Sequence, residues 1–306
     1  MSYLDDLSAD VYLALAKYDQ EVQAAVSDNL LKDSRIAELE AQVAALQPAP
    51  PQMRVGISVR DKAQFEQRTA DFGVKPELAR VFYPTLPTMT DPGYQCQRIV
   101  SFKPPNNDVQ GFIDGKYDVG VSNWLISAGA VRVAVYHERE DNIEAGQFTK
   151  AQAVAMDAHM AELVSKYGRA RFGIILMSWT LDPRSKRTLS DYVGPGNPYE
   201  WIGWDSYPGD YVGNDLPDLA ATHLEYGRCA DNSFGLPWYI CETGTRNYGG
   251  TPEAYDDLQA AWITGAVAIA QELGCRGWCY FDSTVGGDFT LKGPKAYAAM
   301  AAAIRA

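Results

Sequence analysis

The sequence predicts an α/β protein, a (β/α)8 barrel (TIM barrel) preceded by an N-terminal coiled-coil helix. Two observations carry the barrel. Eight short apolar runs alternate with helical stretches, which implies a parallel sheet with crossover helices. They fill about 250 residues, the size of a closed eight-stranded barrel. A third observation weakens the competing doubly wound open sheet. That fold wants a glycine-rich phosphate turn after its first strand, and GISVRD at 56–61 offers a single glycine.

Residues 1–47 contain no glycine and no proline. Leu4, Leu7, Val11 and Tyr18 fit a seven-residue repeat, and Ile36, Leu39, Val43 and Leu46 fit another in a different phase. That pattern predicts a coiled coil through which the chain associates with itself, as dimer or trimer. Asn29 and Lys32 fall on the seam if the later register extends backwards, where polar residues fix register. Residues 48–53 form a proline-rich linker that ends the helix and stiffens the spacer. The barrel follows over 54–306. Its strands are expected at 54–59, 80–83, 99–102, 131–136, 172–177, 201–204, 238–241 and 277–281. Helices are expected at 61–72, 148–167, 252–273 and 293–305, the last an alanine-rich stretch of high helix propensity.

An apolar share of 46% is enough for a sizeable core. The net charge of −12 argues against a broad nucleic-acid-binding face, which needs clustered Lys and Arg. The five cysteines are odd in number and lack a CxxC, so no disulfide scaffold is expected; a bridge between Cys275 and Cys279 stays open. The three histidines are widely spaced, and neither a metal nor a cofactor is expected. His159 and His223 fall on helix surfaces. No apolar run reaches the length of a membrane span, and no basic-then-apolar signal peptide opens the chain.

In a parallel barrel the functional groups gather at the C-terminal ends of the strands. The fourth run ends in His137 and Glu138, the fifth in Ser178 and Trp179, and the sixth in Asp205, Ser206 and Tyr207. The seventh ends in Glu242, and the eighth carries Trp278 and Tyr280. Two carboxyl groups across a pocket are the equipment of glycoside hydrolysis. One gives a proton to the leaving oxygen; the other attacks the anomeric carbon or activates water. Trp and Tyr offer flat faces to sugar rings and polar tips to hydroxyls. Asp205 is a hydrogen-bonding strand-end residue, or the catalytic carboxylate if Glu242 is not. Strict alternation along the seventh strand turns Cys241 away from Glu242, outward onto the helices. Arg80 and Arg132 are expected at strand starts in structural pairs. The acidic run Glu138, Glu140, Asp141 and Glu144 reads as a solvated loop rather than a cation site.

These segments resemble the clan of retaining glycosidases with the acid/base after strand four and the nucleophile after strand seven. VAVYHE at 133–138 is similar to the β-mannanase-like family that places His before the acid/base Glu. FIDGKYD at 112–118, IGWDSY at 202–207, YICETG at 239–244 and GWCYF at 277–281 resemble its other segments in order. The resemblance spans about 54–300. It implies Glu138 as acid/base, Glu242 as nucleophile, His137 beside the acid, Tyr207 on the nucleophile and Trp278 as sugar platform. The family's small polar residues after His-Glu are replaced by Arg139, Glu140 and Asp141, which adds charge at the rim and points to a different glycan. A coiled coil, a proline spacer and such a barrel together resemble a bacteriophage minor tail protein. Its expected partners are the carbohydrate of a bacterial cell surface and other virion tail proteins, and its place is the virion tail. The alternatives are a catalytically degenerate, glycan-binding barrel for host recognition, and a purely structural tail component.

Overall fold

The computed structural model describes residues 17–18, 32, 34–36, 52–87, 93–194, 196, 198–208, 218–231, 234–246 and 251–306. Apart from six exposed helical positions, the expected coiled coil over 1–47 lies outside the described residues. Gln52–Ala306 forms one compact unit. Its eight strands are β1 (Arg54–Val59), β2 (Leu78–Tyr83), β3 (Gln97–Phe102), β4 (Arg132–Val135), β5 (Arg171–Met177), β6 (Trp201–Asp205), β7 (Trp238–Thr243) and β8 (Gly277–Phe281). They pair in sequence order, all parallel, and β8 closes on β1, as the alternating pattern predicts.

The helices are α1 (Lys62–Phe72), α2 (Val109–Ile113), α3 (Asp118–Ala128), α4 (Glu140–Glu144), α5 (Lys150–Tyr167), α6 (Leu219–Ala230), α7 (Pro252–Glu272) and α8 (Pro294–Arg305). Local chemistry starts them. Asp61 accepts the Gln64 amide at the head of α1, and Thr149 and Gln152 make a reciprocal capping box on α5. Among the described residues no helix separates β2 from β3, and only short 3-10 turns lie between β5 and β6. No helix of the described residues is long and apolar enough to cross a membrane.

The strands bury both faces, so alternation sorts their residues into two cores. Val55, Ile57, Val81, Val100, Val133, Ile174, Ile202 and Ile240 pack outward with the helices. Leu78, Ile99, Ala134, Ile175, Trp201, Tyr239, Cys241 and Cys279 form a separate cluster drawn from strands alone, which is the barrel lumen. Glycine makes that lumen possible: a Cβ on Gly173 would sit 2.2 Å from the Trp201 ring, and one on Gly203 would sit 2.4 Å from the Cys241 sulfur.

Two strands depart from regular pairing near the mouth. In β7, Ile240 and Glu242 face Trp204 and Asp205 of β6, while Ile240 and Thr243 face Trp278 and Tyr280 of β8. The extra residue is a bulge. It lets Cys241 and Glu242 both turn to the barrel axis, which overturns the outward placement expected for Cys241. β4 pairs with β5 at two positions only before its chain breaks away at Val135. At the other end of the barrel the Gln52 side-chain amide donates to the Ala306 carbonyl at 2.9 Å. The chain therefore enters and leaves the barrel at neighbouring points on the face opposite the mouth. All five cysteines are free thiols, so Cys275 and Cys279 are not bridged.

Candidate active site

Glu138, Glu242, His137 and Tyr207 come together around a cavity of about 240 Å³ at the C-terminal ends of the strands. Phe82, Arg246, Phe281, Val285, Gly286 and Phe289 complete its lining.

The path to Glu138 is built residue by residue. After β4 the chain takes left-handed backbone at Tyr136 (φ 57°) and again at Glu138 (φ 50°). Such conformations are costly for residues with a Cβ and persist where the surroundings enforce them. Three consecutive residues supply the enforcement. The Glu138 amide donates to the Ile175 carbonyl at 3.1 Å. Arg139 makes a bidentate pair with Asp157 of α5 at 2.6 and 2.9 Å and also donates to the Val135 carbonyl. Tyr199 donates its hydroxyl to the same aspartate. Glu140 accepts from the Met177 amide at 2.7 Å and the Thr180 hydroxyl at 2.9 Å.

Arg139 and Glu140 are thus fully buried, and the rim charge expected of them is absent. Both turn inward because the break in β4 aims them at α5 and at the end of β5. Asp141 and Glu144 stay outside but are held by Arg187. Among the described residues no cluster of His, Cys, Asp and Glu could hold a metal ion.

The two cavity carboxyls have different neighbours. Burial pushes Glu138 upward, opposed by the charges of Lys103 and Arg80. No hydrogen bond to its carboxyl is found among the described residues. Burial also pushes Glu242 up, to about 7, opposed by Arg80 and the Tyr207 hydroxyl and reinforced by Glu138. Tyr207 Oη donates to Glu242 Oε2 at 3.2 Å, and Arg80 Nη2 stands 3.4 Å from Oε1 as an ion pair without hydrogen-bond geometry. Within this pair the proton belongs on Glu138, because the Tyr207 hydroxyl and the Arg80 ion pair contact the Glu242 carboxylate, whereas Lys103 and Arg80 act on Glu138 without such a contact. His137 is buried and held neutral, first by desolvation and then by Arg80 and Lys103; its Nδ1 lies 2.8 Å from Ser101 Oγ.

Asp205 does not line the cavity. It is buried, and neither carboxylate oxygen has a hydrogen-bond partner among the described residues. Burial, Glu242 and Glu138 all raise its pKa and Arg80 opposes them, so the surroundings favour its protonated form. Trp179 also lies off the cavity, beneath the guanidinium of Arg184.

Trp278 and Tyr280 correct the expected sugar platform. Both are fully buried on the outer face of β8. Trp278 packs on Trp262 and donates to the Tyr226 hydroxyl at 3.0 Å; Tyr280 bonds Gln259. Alternation gives the mouth to Phe281 instead.

Sequence reasoning also missed Arg80. It is the third residue of β2, turns into the lumen and is fully buried. The signal was present: Leu78, Arg80 and Phe82 share a face by period two once the strand is started at its true beginning. Glu225 of α6 had no comparable signal. It accepts from the hydroxyls of Ser178 and Ser206, tying the ends of β5 and β6, and burial raises its pKa.

No family model matches the chain, and no curated protein matches it in sequence. Solved structures do match. A GH26 endo-β-1,4-mannanase catalytic domain from Bacillus sp. JAMB-750 is 10% identical, with a TM-score of 0.58 over 81% of this chain and 85% of that one. A Bacteroidetes-affiliated GH5 cellulase linked with a polysaccharide utilization locus is 11% identical, with a TM-score of 0.51 over 82% and 91%. A Bacteroides ovatus GH5 xyloglucanase is 11% identical, with a TM-score of 0.50 over 83% and 75%. At such identities the likeness is one of fold: the chain has the eight-stranded parallel barrel found in these GH5 and GH26 glycoside hydrolases.

Proposed function

We propose that the barrel is a retaining glycoside hydrolase acting on a polysaccharide. The observation that carries the reading is the unequal treatment of two carboxyls on one cavity: Glu242 has an ion-pair contact with Arg80 and a hydrogen bond from Tyr207, and Glu138 feels Lys103 and Arg80 only without such contacts. The solved structures of similar fold include a mannanase, a cellulase and a xyloglucanase, which agrees with a polysaccharide substrate.

Glu242 attacks the anomeric carbon while Glu138 passes its proton to the glycosidic oxygen, which leaves with the bonding pair. A glycosyl ester of Glu242 results. Glu138, now ionised, takes a proton from water, and the hydroxide equivalent displaces Glu242. Arg80 and Tyr207 favour the Glu242 anion at the start and receive it again as it departs. His137, neutral and fixed by Ser101, can exchange hydrogen bonds beside the acid without adding charge.

The finer identity rests on the sequence. The His-Glu pair supports a mannanase-like ancestry. The heptads of 1–47 and the proline spacer support an oligomeric bacteriophage tail protein, acting extracellularly on host cell-surface polysaccharide. Incubation with β-linked oligosaccharides and bacterial surface polysaccharides tests the activity. Wild type should release reducing ends and Glu242→Gln none, with proton NMR showing retention at the anomeric centre. Inversion would remove Glu242 from the nucleophile role, and release undiminished by the substitution would sink the mechanism.

A further inference from the structure

Past the end of β3 the chain keeps its alternation for one more residue. Ile99 belongs to the lumen cluster and Ser101 is buried against His137, so period two places Lys103 on the same face, one step above the serine. The Lys103 amide holds that register by donating to the Tyr83 carbonyl at 3.3 Å. The side chain therefore stands at the mouth, half-buried, with Nζ 5.1 Å from the centre of the Tyr136 ring.

Other cations of this region are engaged. Arg80 pairs with Glu242, and Arg246, on the cavity wall, donates to the Gly286 carbonyl. The Lys103 ammonium has a ring face beside it but neither a hydrogen bond nor an ion pair among the described residues. Desolvation holds its pKa below the usual lysine value; Glu138, Asp205 and Glu242 oppose the lowering, and Arg80 adds to it. A second unfavourable effect follows. The ammonium opposes the proton on Glu138 that the first step of hydrolysis needs. A neutral glycan relieves neither. An anionic group on the glycan relieves both, because it pairs with the ammonium and cancels its field at Glu138. That anion has to be met at close range. The chain carries a net charge of −12, and screening confines attraction to about 8 Å at physiological salt. One compact ammonium balances one carboxylate.

We propose that the glycan cleaved here is acidic: the sugar unit lodged beside Glu138 carries a carboxylate, and Lys103 binds it. The proposal rests on the glycosidase reading above. It makes Lys103 the residue that selects a uronic acid over the neutral sugar of the same shape, by an attraction to the first and an unpaired, half-buried charge against the second.

The test uses the full chain, its Lys103→Gln and Lys103→Arg variants, and a panel of polysaccharides containing β-linked glucuronic acid, hyaluronan and gellan among them. Each polymer is offered beside its own carboxyl-reduced form, which differs only in charge. In the wild type kcat/KM for the acidic form should exceed that for the reduced form about tenfold, the gain from one charge-assisted contact. Lys103→Gln should bring the ratio close to one, and Lys103→Arg should keep most of it. A lysine with a merely structural role would lower both forms together and leave the ratio unchanged. Reduced forms cleaved as fast as acidic ones by the wild type, or a ratio that survives Lys103→Gln, overturns the acidic substrate and leaves the glycosidase standing. Without any cleavage, the same pairs are titrated calorimetrically into the full chain. Tighter binding of the acidic forms that is lost in Lys103→Gln sustains the carboxylate contact and removes the catalysis; equal binding of both forms overturns the contact, and binding of neither overturns both readings.

Discussion

Glu242 holds its carboxylate against Arg80 and Tyr207, and Glu138 has neither. The catalytic cycle requires Glu242 ionised and Glu138 protonated, so kcat/KM should follow a bell in pH. With Glu242 pushed up to about 7, its ionisation sets the acid limb there. Tyr207→Phe removes a donor to the charged form, so the acid limb should move to higher pH and kcat should fall about tenfold. A pH–rate series on both proteins checks it. Glu138→Gln should cost roughly 10²–10⁴-fold in rate. Trp278→Ala belongs to a different category. It should lower stability by about 3–5 kcal/mol, read by chemical unfolding, while the sugar affinity of the folded protein stays unchanged. The two glutamates were legible in the sequence because a carboxylate at a strand end breaks an apolar pattern. The orientation of Trp278, Tyr280 and Cys241 was not. Side-chain facing depends on register, and the bulge that shifts register in β7 leaves no mark in composition.

The element that decides the site is the segment from Tyr136 to Glu140. It carries two left-handed residues, Tyr136 and Glu138, just ahead of the buried Arg139 and Glu140, and the Arg139–Asp157 pair is 0% and 2% exposed. Removing one member leaves the other charged and unpaired. Asp157→Leu should therefore cost about 3–5 kcal/mol, whereas Arg139→Met combined with Asp157→Leu should recover most of it. Chemical denaturation of both variants is the measurement. The double variant should nonetheless lose kcat with little change in KM, since Glu138 keeps its carboxyl and loses its fixed backbone. Nothing in the string Arg139-Glu140-Asp141 separates a solvated loop from this arrangement, because the partners Asp157, Met177 and Thr180 lie far away in sequence. The long, strongly patterned helices α5, α7 and α8 were placed within a few residues. The helix α3, apolar nearly all round, and α6 were not foreseen.

At the scale of the whole barrel, closure was legible because it needs only eight apolar runs and the helices to join them. The polar upper lumen was not. It brings Arg80, Ser58, Ser101 and Asp205 from four strands that are distant in sequence. It also sets how the barrel responds to pH. Glu140 and Glu242 are both raised from 4.5 to about 7 by burial. Between those values the native state binds more protons than the unfolded one, so stability should fall as pH rises. Melting temperatures should decline from about pH 4.5 to pH 7, and Glu140→Gln should flatten part of the slope.

The contact between Gln52 and Ala306 has a further consequence for how the barrel can be presented. Both ends leave from the floor, so a tether on either one behaves as a handle beneath a bowl. Attached to a bead or a film through residue 52 or through residue 306, the protein should show the same activity toward a glycan in the facing layer. A short peptide joining the two ends should give a circular chain that still folds, leaving new termini free to be opened on the rim.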